Sequence, residues 1–454
     1  MWFASRRRPL KGLLMLGAVV VAPSGAGAQC TDTFNTAFVL AGTPPGAIVP
    51  GFALQNQFPL GVGASLNAVV STMNTVNTAF LSPSSSFVSA RGNAQADQLG
   101  GGVWGRAVVG TVETQATTTS TVDNSRARAT GFDGLPKPLT PVTGTGTCKG
   151  ELQETYGGYQ FGFDLAKLNI GNNGGNAHFG LTAGYISSHT KDTTPGAVFE
   201  KTLSDAPGTT YLLSSPAGSF SANTQVAFAG LYGAFTQGNF SADLQLRHDL
   251  YLMRLSDPLN GLADQSLTAS GVSAGANLTY RLPLPANWFL EPSAGAIWSR
   301  VQVGSIQTPG SATFGSINTG AVNIDDIDSV LGRVSLRMGT TIISGETAWQ
   351  PFVTGSVFHE FAGAATAKST IGGPVDSNIA CTIAPCPASG YYLNDKRDQV
   401  MTTSTSRIGT FFQLGVGTAV SFGNSGWLAY GRLDYRGGES LQGYSGNAGL
   451  RYSW

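Results

Sequence analysis

Charge is what this chain has least of. Asp, Glu, Lys and Arg make up 11% of its residues, against roughly 25% in soluble globular chains, too few to solvate a surface of ordinary size. The 26 basic and 26 acidic residues cancel, and no basic cluster suits a nucleic acid partner. Long apolar runs are also missing. None reaches the roughly 20 residues that a helix needs to cross a bilayer. The four histidines (His178, His189, His248, His359) are scattered, and none falls at ligand spacing near a cysteine pair, which excludes a zinc site. There is no phosphate loop, dinucleotide fingerprint or EF-hand spacing. The expectation is a chain with no catalytic residues, no cofactor and no metal, and not an enzyme.

What is present begins with an export signal. Arg6, Arg7, Arg8 and Lys11 precede the apolar stretch Leu13 to Ala22, and Ala26-Gly27-Ala28 offers small residues for cleavage. That is the layout of a secretory signal over residues 1–28. Cleavage there removes four of the 26 basic residues and no acid. The four cysteines fit an oxidising compartment. Cys381 and Cys386 close a short loop and are the favoured disulfide; Cys30 with Cys148 follows by subtraction.

Residues 29–64 are punctuated by Pro and Gly and show no repeat, so no independent domain is expected in that stretch. From Leu66 to Leu81 apolar residues recur every three or four positions at Val69, Met73, Val76 and Phe80, with Asn74 and Asn77 among the polar residues between them, Ser65 placed to cap and Pro83 to stop. This spacing predicts one nearly uncharged amphipathic helix, either on a surface or threaded through a polar pore.

After residue 100 the period changes to two. Strands are expected at Trp104–Val122, Leu152–Ile170, His178–Thr190, Val226–Phe235, Phe240–Leu255, Leu267–Leu282, Trp288–Val303, Val330–Ile343, Trp349–Ala362, Ser406–Phe422, Trp427–Arg436 and Leu441–Trp454. Their connections alternate long and short, and every even-numbered link is tight. Outer-membrane barrels sort their links this way, with tight turns in the periplasm and long loops outside. An exported chain without a spanning helix can cross lipid only as a closed barrel, because every backbone group must be paired internally. The expected fold is therefore all-β and transmembrane: an antiparallel outer-membrane β-barrel of about 12 strands over residues 100–454, with a lumenal helix and linker over 65–99.

Strand parity puts Arg106, Asp164, Asp243, Arg247, Asp249, Glu291, Arg333, Arg337, Glu360, Arg432, Asp434, Arg436 and Arg451 on the inner face. On the lipid face an Arg near the midplane would cost about 2–4 kcal/mol, so their shared parity is informative. A wet, hydrogen-bonding wall around whatever fills the pore is expected.

The stretches GGVWGRAVVG, LYGAFTQGNFSADLQLRHDLY, NWFLEPSAGAIWSR, LGRVSLRMG and WQPFVTGSVFHEF, in this order after an amphipathic helix, resemble the translocator domain of the autotransporters, the type V secretion proteins. Asn447, Gly449, Tyr452 and Trp454 at the chain end are similar to the signal that the outer-membrane barrel assembly machinery reads, with Trp in place of the more usual Phe. The resemblance implies a twelve-stranded barrel with a helix in its lumen, through which an N-terminal passenger reaches the cell surface. Only residues 29–64 precede the helix here, so the passenger is expected to be very short or vestigial. Some family members cut the helix at an Asn; Asn67, Asn74 and Asn77 are available, but their flanks match no cleavage motif.

The expected setting is the bacterial outer membrane, with lipid and the assembly machinery as partners and a monomeric state. The competing readings are a surface-loop adhesin or structural barrel, and a diffusion porin. Two enzyme-like patterns fail on context. Gly271-Val-Ser273-Ala-Gly275 matches a nucleophile elbow but sits inside a strand pattern with no helix after it. His248-Asp249 and His359-Glu360 are sequence neighbours in strands, so their side chains point to opposite faces.

Overall fold

The computed structural model describes residues 57–80, 94–123, 129–131, 136–137, 143–202, 210–215, 217–258, 262–308, 320–371, 375–378, 391–395 and 399–454. Among these, twelve long strands close into a ring: β1 (Gln98–Asp123), β2 (Thr143–Ile170), β3 (Gly175–Asp192), β4 (Ser221–Gln237), β5 (Phe240–Asp257), β6 (Leu262–Tyr280), β7 (Trp288–Val303), β8 (Ile327–Thr340), β9 (Thr347–Glu360), β10 (Thr410–Phe422), β11 (Trp427–Gly438) and β12 (Leu441–Ser453). Each pairs antiparallel with its sequence neighbours. The ring closes where β12 pairs with β1, from Gly102 opposite Ser453 to Thr114 opposite Leu441. Closure removes the free edges that an open sheet would present to lipid.

The turn chemistry explains the tight end. Gly171, Gly174, Gly238, Gly345, Gly423 and Gly426 hold positive φ in the short links, as do Asn172, Ala286 and Asn287. These links, Trp454 and the start of β1 share one end of the ring, the end expected to face the periplasm, while the two-residue link at Glu439–Ser440 lies at the other. At the opposite end β1 runs on past Thr114 and exchanges partners: Thr118 to Asp123 pair with Thr405 to Val400. Residues Gln399–Thr405 pair in turn with Ala365–Ile371, those with Gly320–Ile324, and those with Ile306–Thr308. The long loops thus build a collar of strands above the ring. The sequence pattern leaves Gln399–Thr405 in a long loop and starts a tenth strand at Ser406. Positive φ at Gly409 instead breaks the chain there, and β10 begins at Thr410.

Alternation along each strand sorts the faces. On β2, Tyr159, Phe161, Phe163 and Leu165 are exposed, while Gln160 and Asp164 are buried. On β5, Leu244, Leu246, Leu250 and Leu252 point out, while Arg247, Asp249, Tyr251 and Met253 are buried. Forty or so large apolar side chains stand on the outside of the ring, an arrangement only a lipid surround tolerates.

The helix α1 spans Gln57–Phe80 and is longer than its sequence period suggests. Ser65 is not its cap but lies two turns inside. Pro59, Gly61 and Gly63 read as breakers, yet Pro59 falls in the first turn, where no intrahelical N–H bond exists to be lost. Gly63 is required by packing: a Cβ there would lie 2.6 Å from both Cγ2 and Oγ1 of Thr118.

Candidate functional site: the helix and its lumenal socket

From Val62 to Thr78 nearly every side chain of α1 is buried, the polar ones included. A helix buried on all sides is ordinarily apolar all round; this one is half polar because the wall supplies partners. Leu66, Val69, Val70, Met73 and Val76 pack in one core with Val108, Val112, Leu152, Ile186, Val226, Tyr251, Met253 and Val301 of the inner wall. Each such side chain contributes about 1.5–3 kcal/mol of burial. The wall expected from sequence was polar throughout. In the outer half of the barrel it is apolar instead, since strands there carry apolar residues on both parities, as in Leu250-Tyr251-Leu252-Met253.

The polar face of the helix meets two sockets. Glu154, fully buried on β2, accepts from Ser71 Oγ at 2.7 Å, Thr72 Oγ1 at 3.2 Å and Thr75 Oγ1 at 2.9 Å. A carboxylate removed from water has to be satisfied in this way. Lower down, Arg247 donates to Asn77 Oδ1 at 3.0 Å and ion-pairs with Asp249 at 2.6 Å, and Asp249 also accepts from Ser273 at 3.1 Å. Asn77 Nδ2 donates to Ser299 Oγ at 2.8 Å. Arg436 donates to Thr78 Oγ1 at 2.9 Å. Asn74 is buried without a side-chain hydrogen bond to any described residue. The side chain of Phe80 lies outside the described residues.

A second buried network holds the periplasmic end. Asp164 accepts from Arg451 at 2.8 Å on each oxygen, sits 2.8 Å from His178 Nδ1, and accepts from Tyr232 Oη at 2.7 Å; Trp104 Nε1 donates to Tyr232 Oη at 2.7 Å. Between the two networks lie Arg333, bonded to Asn277 at 2.7 Å, Arg337, 3.3 Å from Glu291 and stacked over Phe352, and Arg432, paired with Asp434 at 2.6 Å. Arg106 bonds Gln160 at 2.7 Å, Asp243 accepts from Asn277 at 3.1 Å, and Glu360 accepts from Ser329 at 2.5 Å.

The thirteen inward charges named from parity all lie buried or half-buried on the inner side of their strands. Glu154, the residue that grips the helix, was not among them. It lies within the strand expected at Leu152–Ile170, which in the structure begins earlier at Thr143, and its even position matches Gln160 and Asp164, so the same parity could have found it. Ser273, centre of the nucleophile-like pattern, is an inward strand residue that donates to Asp249 and accepts from Arg247, while His248, opposite the adjacent Val272, lies on the outer face.

At the chain end, Asn447 faces inward 3.4 Å from Asp434, and Gly449 lies opposite Arg106. Tyr452 packs on Trp427 with ring centroids 5.0 Å apart, and Trp454 on Phe163 at 5.9 Å. Cys148 is disulfide-bonded. Cys30, Cys381 and Cys386 lie outside the described residues.

A closed ring of twelve antiparallel strands, greasy outside and filled by a helix inside, defines a transmembrane β-barrel. The profile of the family "Autotransporter beta-domain" matches residues 144–378, just over half of the chain, and the chain belongs to that family. It is an outer-membrane barrel of the type V secretion class. Over 186 residues it is 29% identical to the pertactin autotransporter of Bordetella bronchiseptica and over 186 residues 28% identical to that of Bordetella parapertussis. The match covers 40% of this chain and 16% of each relative, so the chain spans a small part of their length. Among solved structures it is similar to the β domain of the Bordetella autotransporter BrkA (18% identity, TM-score 0.42, 75% of this chain and 98% of that one). It is also similar to the transport unit of AIDA-I from Escherichia coli (14%, TM-score 0.48, 86% and 99%) and the translocator domain of NalP from Neisseria meningitidis (14%, TM-score 0.42, 86% and 98%).

Proposed function

We propose that this barrel carries the segment N-terminal to α1 outward through its own lumen and then retains α1 as a plug. The direction of the helix is the observation that supports this reading. Gly63, in its second turn, lies beside Thr118 in the collar, and its end is held by Arg247 and Arg436. The chain then reappears at the periplasmic rim, where Asn169 donates to the Ala94 carbonyl at 2.9 Å. A strand of chain that enters from below, passes the pore and leaves a helix with its N-terminus uppermost puts whatever precedes it outside. In this reading the signal over residues 1–28 is cleaved, and Asn447, Gly449, Tyr452 and Trp454 are read by the assembly machinery before insertion. The barrel needs no catalysis for the task; the sockets at Glu154 and Arg247 supply the grip.

The test is a protease-cleavable tag placed after Cys30. Cleavage of that tag on intact cells is expected. A tag cut only after the outer membrane is permeabilised would refute outward transport.

A further inference from the structure

Beneath the end of α1 the lumen holds more positive charge than its wall balances. Arg106, Arg333, Arg337, Arg432 and Arg436 line a cavity there together with two carboxylates, Glu291 and Asp434. Asp243, which shares Asn277 with Arg333, adds a third acid just behind. The segment 81–93, which leads from the helix back to the rim, contains Arg91 and neither Asp nor Glu. Buried cations in surplus are costly unless an opposite charge joins them. The same wall has hydrogen-bonding capacity to spare. Arg436 Nε and Thr354 Oγ1 make no hydrogen bond to any described residue, although these residues are only 5% and 6% exposed. Thr354 stands opposite Arg337 in the ladder between β8 and β9, so an unspent hydroxyl lies beside a guanidinium. Buried polar groups of this kind call for a partner that the wall itself does not supply.

We infer that this cavity binds a phosphate-type dianion arriving from the periplasmic end. Charge, shape, size and access each point to that class. Five guanidiniums against three carboxylates, Asp243 included, leave two positive charges, which a monovalent ion does not balance. Guanidinium forks present paired N–H groups that match the oxygens of a phosphate, whereas a halide has no oxygens to engage them. The centres of water-sized spheres have about 80 Å³ to occupy in the cavity. One water needs about 10–15 Å³ of such space, so there is room for an ion of about five heavy atoms and not for a large polyanion. The lining reaches Thr279, Glu291 and Arg337, each within three residues of the tight-turn end of its strand, so the way in is from that end. The barrel wall separates the cavity from lipid, and the ligand is therefore a free ion and not a headgroup. Bound there, it joins the arginines of β8 to those of β11 directly under the helix. The inference is independent of what passes through the pore.

The experiment uses the full chain refolded in lauryldimethylamine oxide micelles and titrated calorimetrically with inorganic phosphate at about pH 8, where the ion carries close to two charges. Sodium chloride at equal ionic strength is the comparison, and folding of each variant is checked by heat-modifiable migration. Saturable binding of one phosphate per barrel is expected. The temperature at which the fast-migrating form is lost should rise with phosphate and not with chloride. Arg333→Gln is expected to weaken phosphate binding about ten- to a hundred-fold, the range of hydrogen bonds to charged groups. Thr354→Val keeps the shape of the side chain, removes the spare hydroxyl and should weaken binding about two- to tenfold; it decides the matter if Arg333→Gln does not fold. Arg254→Gln, on the outer face, should change nothing. Absence of saturable binding in the native chain, an equal effect of chloride, or native phosphate affinity in Arg333→Gln or, should that variant not fold, in Thr354→Val, overturns the inference.

Discussion

Arg451 in the closing strand sets its two Nη atoms 2.8 Å from the two carboxylate oxygens of Asp164 in the second strand, and it reaches them across the first. Gly102 makes the crossing possible. The pair therefore ties together strands on both sides of the seam where the ring closes. Removing one partner strands the other charge in the interior, which costs about 3–5 kcal/mol. Arg451→Met is expected to lower the temperature at which the barrel loses its fast-migrating folded form on a gel. The double variant Arg451→Met with Asp164→Leu should be less damaged than Arg451→Met alone, since it leaves no unpaired charge.

Gly102 itself gives a second expectation. A Cβ there would lie 2.7 Å from Arg451 Nη2 and 2.8 Å from the Tyr452 carbonyl, which is backbone and cannot move aside. Gly102→Val should destabilise by at least the 1–3 kcal/mol typical of overpacking. Heat-modifiable migration again reads the change, and β12 should become more accessible to protease in detergent.

Glu154 is the socket that distinguishes a gripped helix from a loosely held one. Glu154→Leu leaves the hydroxyls of Ser71, Thr72 and Thr75 without their acceptor, each unmet group costing about 1–3 kcal/mol. Planar-bilayer recordings should show larger or more frequent openings than the native chain. Deletion of residues 66–81 should raise conductance further, and a conductance equal to that of the native barrel would contradict the plug.

A pH effect belongs to the periplasmic turn. Lys167, 2.9 Å away, and the Gly171 N–H at 3.2 Å hold the Asp97 carboxyl below its ordinary value. The folded turn then binds fewer protons than the unfolded chain near the carboxylate range, so the contribution is complete above about pH 4 and is lost as pH falls through the depressed value. Hydrogen exchange should show protection of the Gly171 amide declining on acidification below about pH 4. Asp97→Asn should flatten that dependence.

Loss of the last three residues tests the chain end. Without Tyr452 to Trp454 the stacking on Trp427 and Phe163 goes, along with the signal proposed for assembly. The truncated chain is expected to fail to appear in the outer-membrane fraction; a normally inserted, heat-modifiable barrel would contradict that role.

Much of this architecture was legible in the residues because lipid imposes a period of two and a sharp penalty for error. A charge on the wrong parity of β2 or β5 would face hydrocarbon, so Asp164 and Arg247 announce their side without help. The helix was harder. Its first two turns contain Pro59, Gly61 and Gly63, which propensity reads as a break, and only the approach of Thr118 explains why a glycine belongs there. The apolar half of the wall was hidden for a related reason: where a strand is greasy on both faces, alternation vanishes, and Tyr251 or Met253 cannot be told from its outward neighbours. The network on Asp164 depends on four other strands meeting in space, and no local pattern encodes that.

The collar extends the tube beyond the ring. β1 continues nine residues past Thr114, from the level where β12 starts to Asp123, which at the rise of a tilted strand is roughly 20 Å of additional wall. In the proposed outward transport, a polypeptide leaving past Gly63 is therefore released from the top of a chimney. In that reading its point of release stands off from the ring by the height of the collar.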